Sequence, residues 1–275
     1  MKHSALPFGS PTLVMGIVNV TPDSFHDGGR HNTVDAAIEH GLRLVDEGAL
    51  VLDIGGESTR PGAAEVSEAE ELERVLPVLS ALKRRVNVPV SVDTWKASVA
   101  EQALAAGADW INDISGGVRD PRILSVVAEA GVPYVAMHMR GTPATMQTLT
   151  EYDDLIAEVK AYFVDRLQAF EAAGGQREML ILDPGIGFAK KPSDNYTLLA
   201  NLAEFRELGL PLLVGPSRKS FLKLAGGEDT ADRLPGTMAA ITICALAGVE
   251  VVRVHDVAET VQAVNVARRV LAGGR

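Results

Sequence analysis

The chain contains 275 residues, of which 47% are hydrophobic, and its formal net charge is −10 at pH 7. This length suits one large domain, and a net negative charge argues against nucleic acid or an anionic membrane as the main partner. A single cysteine excludes an internal disulfide and a cysteine-based zinc site. Residues 1–11 lack the apolar core of a signal peptide, and no apolar stretch reaches the roughly 20 residues of a membrane helix. We therefore expect a cytoplasmic protein with no membrane and no nucleic-acid partner.

Eight short apolar runs recur along the chain, and each stops at a polar residue or a glycine turn. Such runs are typical of buried parallel strands, in which the first polar residue marks the point where the strand leaves the core. In chain order, the runs stop at Asn19, Asp53, Asp93, Asn112, His138, Asp183, Gly215 and His255. Helical segments are predicted between and after them, near residues 36–45, 67–82, 96–105, 121–130, 155–170, 193–205, 235–247 and 257–271.

The alternation of strands and helices predicts a parallel sheet built from βαβ units. Polar residues at all eight strand ends favour a single-domain (β/α)8 TIM barrel over residues 1–275, with residues 1–11 as an N-terminal arm and the active site at the C-terminal ends of the strands. An open doubly wound sheet is the alternative, although it would concentrate its site at one switch point. Ser67 and Glu70 form a capping-box pattern, and the last helix is predicted to pack through Val257, Val261, Val264 and Leu271.

Arg253 is predicted to point into the mouth of the barrel. Side chains alternate along a strand, so Val252 and Val254 face the helices while Arg253 and His255 face inward. A buried guanidinium needs an anion, and the loops after strands seven and eight of such barrels often hold phosphate. The alternative is an internal ion pair of Arg253 with an aspartate, such as Asp183 or Asp256.

Lys219 and Ser217 follow strand seven and add polar groups to the same side of the rim, whereas Arg218 is interpreted as a surface residue. Asn19, at the end of strand one, neighbours strand eight in a closed barrel. Asn19 could share an anion or its Mg²⁺ with Arg253 and His255, or it could bond to the backbone of its own turn. An imidazole can be neutral or charged near physiological pH and can donate to a phosphate.

Asp93, Asn112 and Asp183 place two carboxylates and an amide at one rim. Such a set can recognise a flat heterocycle that is rich in N–H groups. Met137 and Phe188 could supply apolar walls, although each fits the core equally well. Two structural alternatives remain: Asp93 could cap a helix that begins at residue 94, and Asp183 could brace the turn at residues 184–185.

Several common signatures are absent from the sequence. Residues 185–190 do not form a GxGxxG motif, residues 215–220 lack the spacing of a phosphate-binding P-loop, and there is no HExxH, CxxC or GxSxG. The sequence therefore gives no support to a nicotinamide enzyme, an ATPase, a zinc protease or a serine hydrolase.

Five segments match, in order, the signatures of one enzyme family. They are NVTPDSFHDGG at residues 19–29, DIGGESTRPG at 53–62, DPGIGF at 183–188, SRKS at 217–220 and RVHD at 253–256. Together they resemble the dihydropteroate synthases of the pterin-binding family, and the resemblance spans nearly the whole chain. Two departures stand out: His26 where serine is common, and Ala189 where glycine is common.

The resemblance implies a transferase of folate biosynthesis, a target of sulfonamides, that acts as a homodimer. It would condense (7,8-dihydropterin-6-yl)methyl diphosphate with 4-aminobenzoate, by Mg²⁺-assisted, SN1-like loss of diphosphate. The implied catalytic residues are Asn19, Asp93, Asp183, Lys219, Arg253 and His255. The implied pterin site consists of Asp93, Asn112, Met137, Asp183, Phe188, Gly215, Lys219 and Arg253. The diphosphate would meet Asn19, Thr59, Arg253 and His255, and Asn19 would bind the metal. The aminobenzoate would meet Phe25, Thr59, Arg60, Pro61, Phe188, Ser217 and Lys219.

Two other functions share part of this pattern. A methyltetrahydrofolate–corrinoid methyltransferase could use the same aspartates and asparagine, but it needs neither Arg60 nor the Arg253 and His255 pair. A paralogue could bind pterin without synthase turnover, against which Phe25, Thr59 and Lys219 weigh.

Overall fold

The computed structural model describes residues 5–21, 30–60 and 62–273, with the side chains of residues 30–33 and 231 excepted. Within these residues eight parallel strands form one sheet: β1 (Leu13–Asn19), β2 (Val51–Gly55), β3 (Val90–Asp93), β4 (Trp110–Asp113), β5 (Tyr134–Met137), β6 (Leu180–Asp183), β7 (Leu213–Val214) and β8 (Val251–Val254). The strand order is β6-β5-β4-β3-β2-β1-β8-β7. A parallel bridge between Leu182 and Leu212 brings β6 to the segment before β7 and nearly closes the barrel. The predicted (β/α)8 barrel is confirmed.

Helices surround this sheet on its outer face. In the described residues they are α1 (Arg30–Asp46), α2 (Glu68–Arg85), α3 (Ala97–Ala105), α4 (Arg122–Ala130), α5 (Leu155–Ala172), α6 (Pro192–Ala200), α7 (Leu202–Arg206), α8 (Leu234–Leu246) and α9 (Val257–Leu271). The N-cap of α2 is Ser67, whose side chain accepts from the Glu70 amide as the capping pattern predicts. None of the described helices is long and apolar enough to cross a membrane.

The alternation of strand side chains separates two apolar regions. Outward-facing residues such as Val252 and Val254 pack with the helices in the main core. Inward-facing residues at the N-terminal end of the barrel form a second cluster, which we call the floor. The floor comprises Leu6, Met15, Val51, Trp110, Val135, Ile181, Leu213 and Val251. Since the floor fills that end, the polar strand ends at the opposite end are left to line a cavity.

Three helix predictions require correction. The first helix begins at Arg30, ahead of the predicted residue 36. The predicted helix at 193–205 is two helices that meet at Asn201, which is both the C-cap of α6 and the N-cap of α7. Leu271 does not pack into the core but is 62% exposed, because it lies at the end of α9, beyond the part of the helix that covers the barrel.

Candidate active site

A cavity lies at the C-terminal ends of the strands and is lined by residues from all eight strands or the loops that follow them. Its empty volume, including the part open to solvent, is about 450 Å³. The lining residues are Ile17, Thr59, Asp93, Asn112, Ile114, Met137, Asp183, Phe188, Gly215, Ser217, Lys219, Arg253 and His255. Eleven of these residues were predicted as site residues from the sequence, and the fold brings all eleven together. The size and mixed lining suit a small molecule with a flat polar edge.

Arg253 is held inside the cavity by two carboxylates. Its Nε donates to Asp53 Oδ2 at 2.6 Å, and its Nη2 donates to Asp93 Oδ2 at 2.8 Å. The expected inward direction of Arg253 is therefore correct, but its ion-pair partners are not Asp183 or Asp256. Burial raises the pKa of Asp93 to about 8, against the attraction of Arg253, and repulsion from the Asp53 carboxylate adds to the rise.

Asn112 lies beside Asp93 in the strand register and shares a partner with Arg253. Asn112 Nδ2 donates to Asp53 Oδ2 at 3.0 Å, and Asp53 is fully buried. Because the amide nitrogen faces Asp53, the carbonyl oxygen of Asn112 is left to face the cavity as an acceptor. Asp93 does not cap the next helix, since α3 begins at Ala97 and the Ala97 amide donates to Asp120 instead.

Asp183, Phe188 and Lys219 line another side of the cavity. The Gly185 amide donates to Asp183 Oδ1 at 2.8 Å, so Asp183 does brace its turn, and it also lines the cavity. Lys219 Nζ lies 4.5 Å from the centre of the Phe188 ring and donates to the Ile186 carbonyl. Burial lowers the pKa of Lys219 to about 8, although Asp183 opposes the shift. Burial likewise raises the pKa of Asp183, which Lys219 opposes.

His255 and Ser217 contact each other where the loops after β7 and β8 meet. Ser217 Oγ lies 3.0 Å from His255 Nδ1 and also accepts from the His255 backbone N–H at 3.2 Å. Burial, reinforced by Arg253 and Arg218, lowers the pKa of His255 to about 4. The imidazole is therefore neutral at physiological pH, so it can donate one N–H but carries no charge.

Arg218 is not simply a surface residue. Its Nε donates to Asp256 Oδ2 at 2.9 Å, and its Nη2 also pairs with Asp256. This bidentate pair ties the β7 loop to the β8 loop and occupies the carboxylate that was considered for Arg253.

The loops after β1 and β2 are described in part. Thr59 lines the cavity, whereas Arg60 is exposed and acts on it through its charge, as one of the cations that lower the pKa of His255. The predicted contacts of Phe25 and Pro61 lie outside the described residues.

The comparisons with known proteins agree with this geometry. A family model described as pterin binding enzyme matches residues 15–255. Dihydropteroate synthase from Escherichia coli (strain K12) is 49% identical over 259 residues, which cover 94% of this chain and 92% of that relative. The chain belongs to the dihydropteroate synthase family.

Other dihydropteroate synthases give the same result. The relative from Bacillus subtilis (strain 168) is 45% identical over 256 residues, covering 93% of this chain and 87% of the relative. A structure of dihydropteroate synthase from Xanthomonas albilineans with 4-aminobenzoic acid superposes with a TM-score of 0.91 at 47% identity, covering 98% of this chain and 99% of that chain. A second Xanthomonas albilineans structure, in complex with 7,8-dihydropteroate, gives 0.87 at 47% identity, covering 96% and 95%. The chain is accordingly a transferase with dihydropteroate synthase activity.

The Mg²⁺ that the sequence resemblance implies can be tested against the side chains around Asn19. A Cβ on Gly55 would lie 3.7 Å from Asn19 Oδ1 and 3.8 Å from Asp93 Oδ2, so both oxygens border the same gap. The described residues contain no group of three His, Cys, Asp or Glu side chains that could hold a metal alone. Mg²⁺ commonly binds through one or two protein oxygens, several waters and substrate phosphates. The site therefore fits a Mg²⁺ that arrives with a diphosphate.

Two buried groups in this synthase were missed from sequence. Asp53 accepts hydrogen bonds from Arg253 and Asn112, but the sequence predicted it only as the end of a strand. His138 points away from the cavity, where its Nδ1 lies 2.9 Å from Lys190 Nζ. The alternation of side chains along a strand could have predicted both directions. Asp53 is two residues before the rim residue Gly55 and so faces inward, whereas His138 directly follows the cavity-lining Met137 and so faces away from the cavity.

Proposed function

We propose that the chain joins (7,8-dihydropterin-6-yl)methyl diphosphate to 4-aminobenzoate by an SN1-like, dissociative route with the cavity residues in the roles that follow. The observation that carries the proposal is the arrangement of two carboxylates, an amide, an ammonium and a guanidinium around one cavity. The acceptor oxygens of Asn112 and Asp183 suit the donor-rich edge of a pterin, and the cations suit a diphosphate.

The pterin would lie between the side of the cavity that carries Asn112 and the side that carries Asp183 and Lys219. Asp183 and the Asn112 carbonyl would accept from its ring N–H groups, while the Lys219 ammonium would donate to its ring oxygen or nitrogen. Met137, Phe188 and Gly215 would form the apolar surfaces of the pocket. Arg253 would stack across the ring, because Asp53 and Asp93 fix its guanidinium from two sides.

The bond that breaks joins the pterin methylene carbon to a diphosphate oxygen. Its electron pair leaves with the diphosphate, so positive charge grows on the methylene carbon and negative charge on the leaving oxygens. Asp93 and Asp183 would stabilise the first, while Arg253 and a His255 N–H would stabilise the second. The hydroxyl of Ser217 can donate to His255 Nδ1, which would leave Nε2–H free for the anion.

Asn19 and the diphosphate oxygens would hold Mg²⁺, with Asp93 Oδ2 near the same gap. When bound, the ion supplies charge neutralisation for the departing diphosphate. Thr59 would donate to the diphosphate beside it, at the base of the β2 loop.

The 4-aminobenzoate would bind last, above the methylene carbon. Ser217 and Lys219 would meet its carboxylate, and Phe188 with the loop residues Phe25, Thr59, Arg60 and Pro61 would enclose its ring. The amine nitrogen attacks the methylene carbon and then loses a proton, which gives dihydropteroate and diphosphate. A weak nucleophile and a water-free cavity favour carbon–oxygen cleavage ahead of attack.

Diphosphate release with Mg²⁺, measured with and without 4-aminobenzoate, tests the proposal. Release that requires both, together with dihydropteroate formation, supports it. Electron-poor aminobenzoates should slow the reaction only slightly, whereas a steep dependence would indicate a nucleophile-driven step. Pterin binding without amine-dependent release would point to a silent paralogue or a methyl-transferring relative.

We also propose a cytoplasmic homodimer that sulfonamides inhibit. Ile243 and Leu246 on α8 and Val266 and Val270 on α9 are 42–61% exposed, and such neighbouring apolar side chains suit a subunit interface. A relative from Yersinia pestis, solved in a sulfonamide drug complex, has a TM-score of 0.91 at 46% identity, covering 99% of this chain and 100% of that chain. Sedimentation of the wild type and of Ile243→Glu tests the interface, since the variant should become monomeric. Competition of a sulfonamide with 4-aminobenzoate tests the inhibition.

A further inference from the structure

The described part of the loop between β2 and α2, residues 56–60 and 62–66, which we call loop two, is held near both of its ends. Lys96 Nζ lies 2.5 Å from Glu57 Oε2 at the first end, and Arg119 Nη2 lies 2.9 Å from Glu65 Oε1 at the second. Both cations also contact the ring of Trp95. Lys96 Nζ lies 4.8 Å, and the Arg119 guanidinium carbon 3.7 Å, from the ring centre. We call Trp95, Lys96 and Arg119 the Trp95 clamp.

The Lys96 end of the clamp is a buried cluster of charges. Lys96 Nζ is also 2.5 Å from Glu71 Oε2 on α2, and the side chains of Lys96, Glu57 and Glu71 are 4%, 9% and 1% exposed. Burial raises the pKa of Glu71, which Lys96 opposes. One ammonium therefore keeps two buried carboxylates together, and removing it alone would leave both without their counter-ion.

The Arg119 end is more open, and it connects loop two to the cavity wall. Glu65 is about half exposed, while the Arg119 side chain is 19% exposed and lies over Trp95. Trp95 in turn packs against the apolar cluster that contains Met137 and Phe188, two lining residues of the cavity. A guanidinium over an indole face gains from both contact area and charge.

Between these ends, loop two carries Thr59, which lines the cavity, and Arg60. The Gly62 amide donates to the Pro143 carbonyl at 3.1 Å, which joins the tip of loop two to the loop after β5. Lys96 lies only three residues after Asp93, which ends β3 and pairs with Arg253. The end of β3 is therefore linked to Arg253 and, through Lys96, to the start of loop two.

We propose that the Trp95 clamp fixes loop two over the cavity, and that Lys96 and Arg119 are positioning residues for the amine substrate. The inference rests on the proposed function for the identity of that substrate, 4-aminobenzoate. A cluster with a purely structural role would affect both substrates through stability. A positioning role affects the amine most, because Arg60 belongs to its side of the cavity. Thr59 serves both substrates, but the diphosphate keeps its other proposed partners, Arg253 and His255.

The test compares Arg119→Met with the triple variant Lys96→Met, Glu57→Gln and Glu71→Gln. The triple variant removes all three charges together and so avoids an unpaired carboxylate, which is the hazard of Lys96→Met alone. The matched control is Lys83→Met, because Lys83 forms a partly buried pair with Asp109, at 2.5 Å, away from loop two.

We expect hydrogen exchange of loop two, measured without substrates, to become at least about tenfold faster in Arg119→Met and in the triple variant. The KM for 4-aminobenzoate should rise about tenfold, while kcat and the Kd of the pterin diphosphate stay within about twofold. The control should change none of these values. Unchanged exchange of loop two in both variants, or an equal rise in KM for both substrates, would overturn the inference. If the wild type releases no diphosphate, the proposed function fails, but the exchange result still decides whether the clamp fixes loop two.

Discussion

Arg253 and Asp53, 200 residues apart in sequence, meet at the centre of the barrel through an Nε–Oδ2 hydrogen bond of 2.6 Å. Asp53 has no exposed surface, and the same oxygen accepts from Asn112. Asp53→Ala should lower the free energy of unfolding by about 2–4 kcal/mol, because it leaves a guanidinium and an amide without a buried partner. It should also weaken pterin binding at least about tenfold, since both freed groups face the pterin site. Urea unfolding and calorimetric titration measure the two effects.

A control separates these two effects of Asp53. Asp109→Asn should also destabilise the protein, because Asp109 pairs with Lys83 and accepts from the Val90 amide, but it should leave pterin affinity unchanged. Wild-type pterin affinity in Asp53→Ala would show that Asp53 does not orient the site.

The pH profile of kcat/KM for the pterin substrate should have a maximum near pH 8. Lys219 loses its proton as pH rises through its pKa of about 8, so donation to the ring declines above that value. Asp93 becomes a carboxylate as pH rises through its own pKa of about 8, so the profile climbs below it. Arg253 adds to the downward shift of the Lys219 pKa, whereas Asp183 and Asp93 oppose it.

Two variants show which residue causes the rise of this profile and which causes the fall. The titration of the substrate affects the wild type and the variants equally, so it does not alter the comparison. Lys219→Arg should lose the falling limb because a guanidinium stays protonated, and Asp93→Asn should lose the rising limb. A falling limb that survives in Lys219→Arg contradicts the assignment.

Gly185 has no room for a side chain. Its φ is +71°, and a Cβ there would lie 2.0 Å from the His138 carbonyl oxygen. Gly185→Ala should destabilise the protein by about 3 kcal/mol or more, because the turn after β6 must move. Gly209 has a φ of +67° and nothing within 4 Å of its Cβ position, so Gly209→Ala should cost only about 1 kcal/mol. Equal costs, measured by urea unfolding, would show that backbone strain alone dominates at Gly185.

Ala189 occupies a backbone conformation that favours glycine. Its φ is +48°, and its carbonyl accepts from the Tyr152 hydroxyl at 2.8 Å, so the surrounding structure holds it there. Ala189→Gly should stabilise the protein by about 0.5–1 kcal/mol, because the relief of strain exceeds the entropy gained by the unfolded chain. Differential scanning calorimetry would measure a higher Tm. A lower Tm would mean that the alanine methyl contributes more through packing than the strain costs.

Acid should destabilise the fold through buried histidines. Burial lowers the pKa of His138 to about 2, and that of His255 to about 4, from an unfolded value near 6.5. As pH falls below 6.5 the unfolded chain binds protons that the folded chain does not, so stability is lost with decreasing pH. Each group contributes a slope of about 1.4 kcal/mol per pH unit while it remains neutral in the fold.

Urea unfolding between pH 7.5 and pH 5 measures this slope. His138→Gln keeps an acceptor for Lys190 and removes one titrating group, so its slope should be smaller than that of the wild type by one proton. Lys190, whose pKa burial lowers to about 7, titrates in the separate window above that value. Parallel slopes for variant and wild type would exclude His138 as a source of acid lability.

The strand ends could be predicted because each apolar run meets its first polar residue where the sheet meets the cavity. Arg253 and His255 faced inward as period-two alternation required. The partners of Arg253 could not be predicted, because which of the aspartates reaches it depends on the stagger of β2, β3 and β8 around the barrel. The Trp95 clamp could not be predicted for a similar reason: Glu57 and Lys96 are 39 residues apart, and only the fold brings them together.

The apolar floor closes the N-terminal end of the barrel, and the cavity opens at the C-terminal rim. Among the described residues, Leu6, Trp110 and their neighbours close the far end, so molecules reach the cavity from the rim. In the proposed binding mode the pterin lies deepest, so it would be loaded before the amine covers it. In that mode, the order of addition is thus set by the architecture of the barrel.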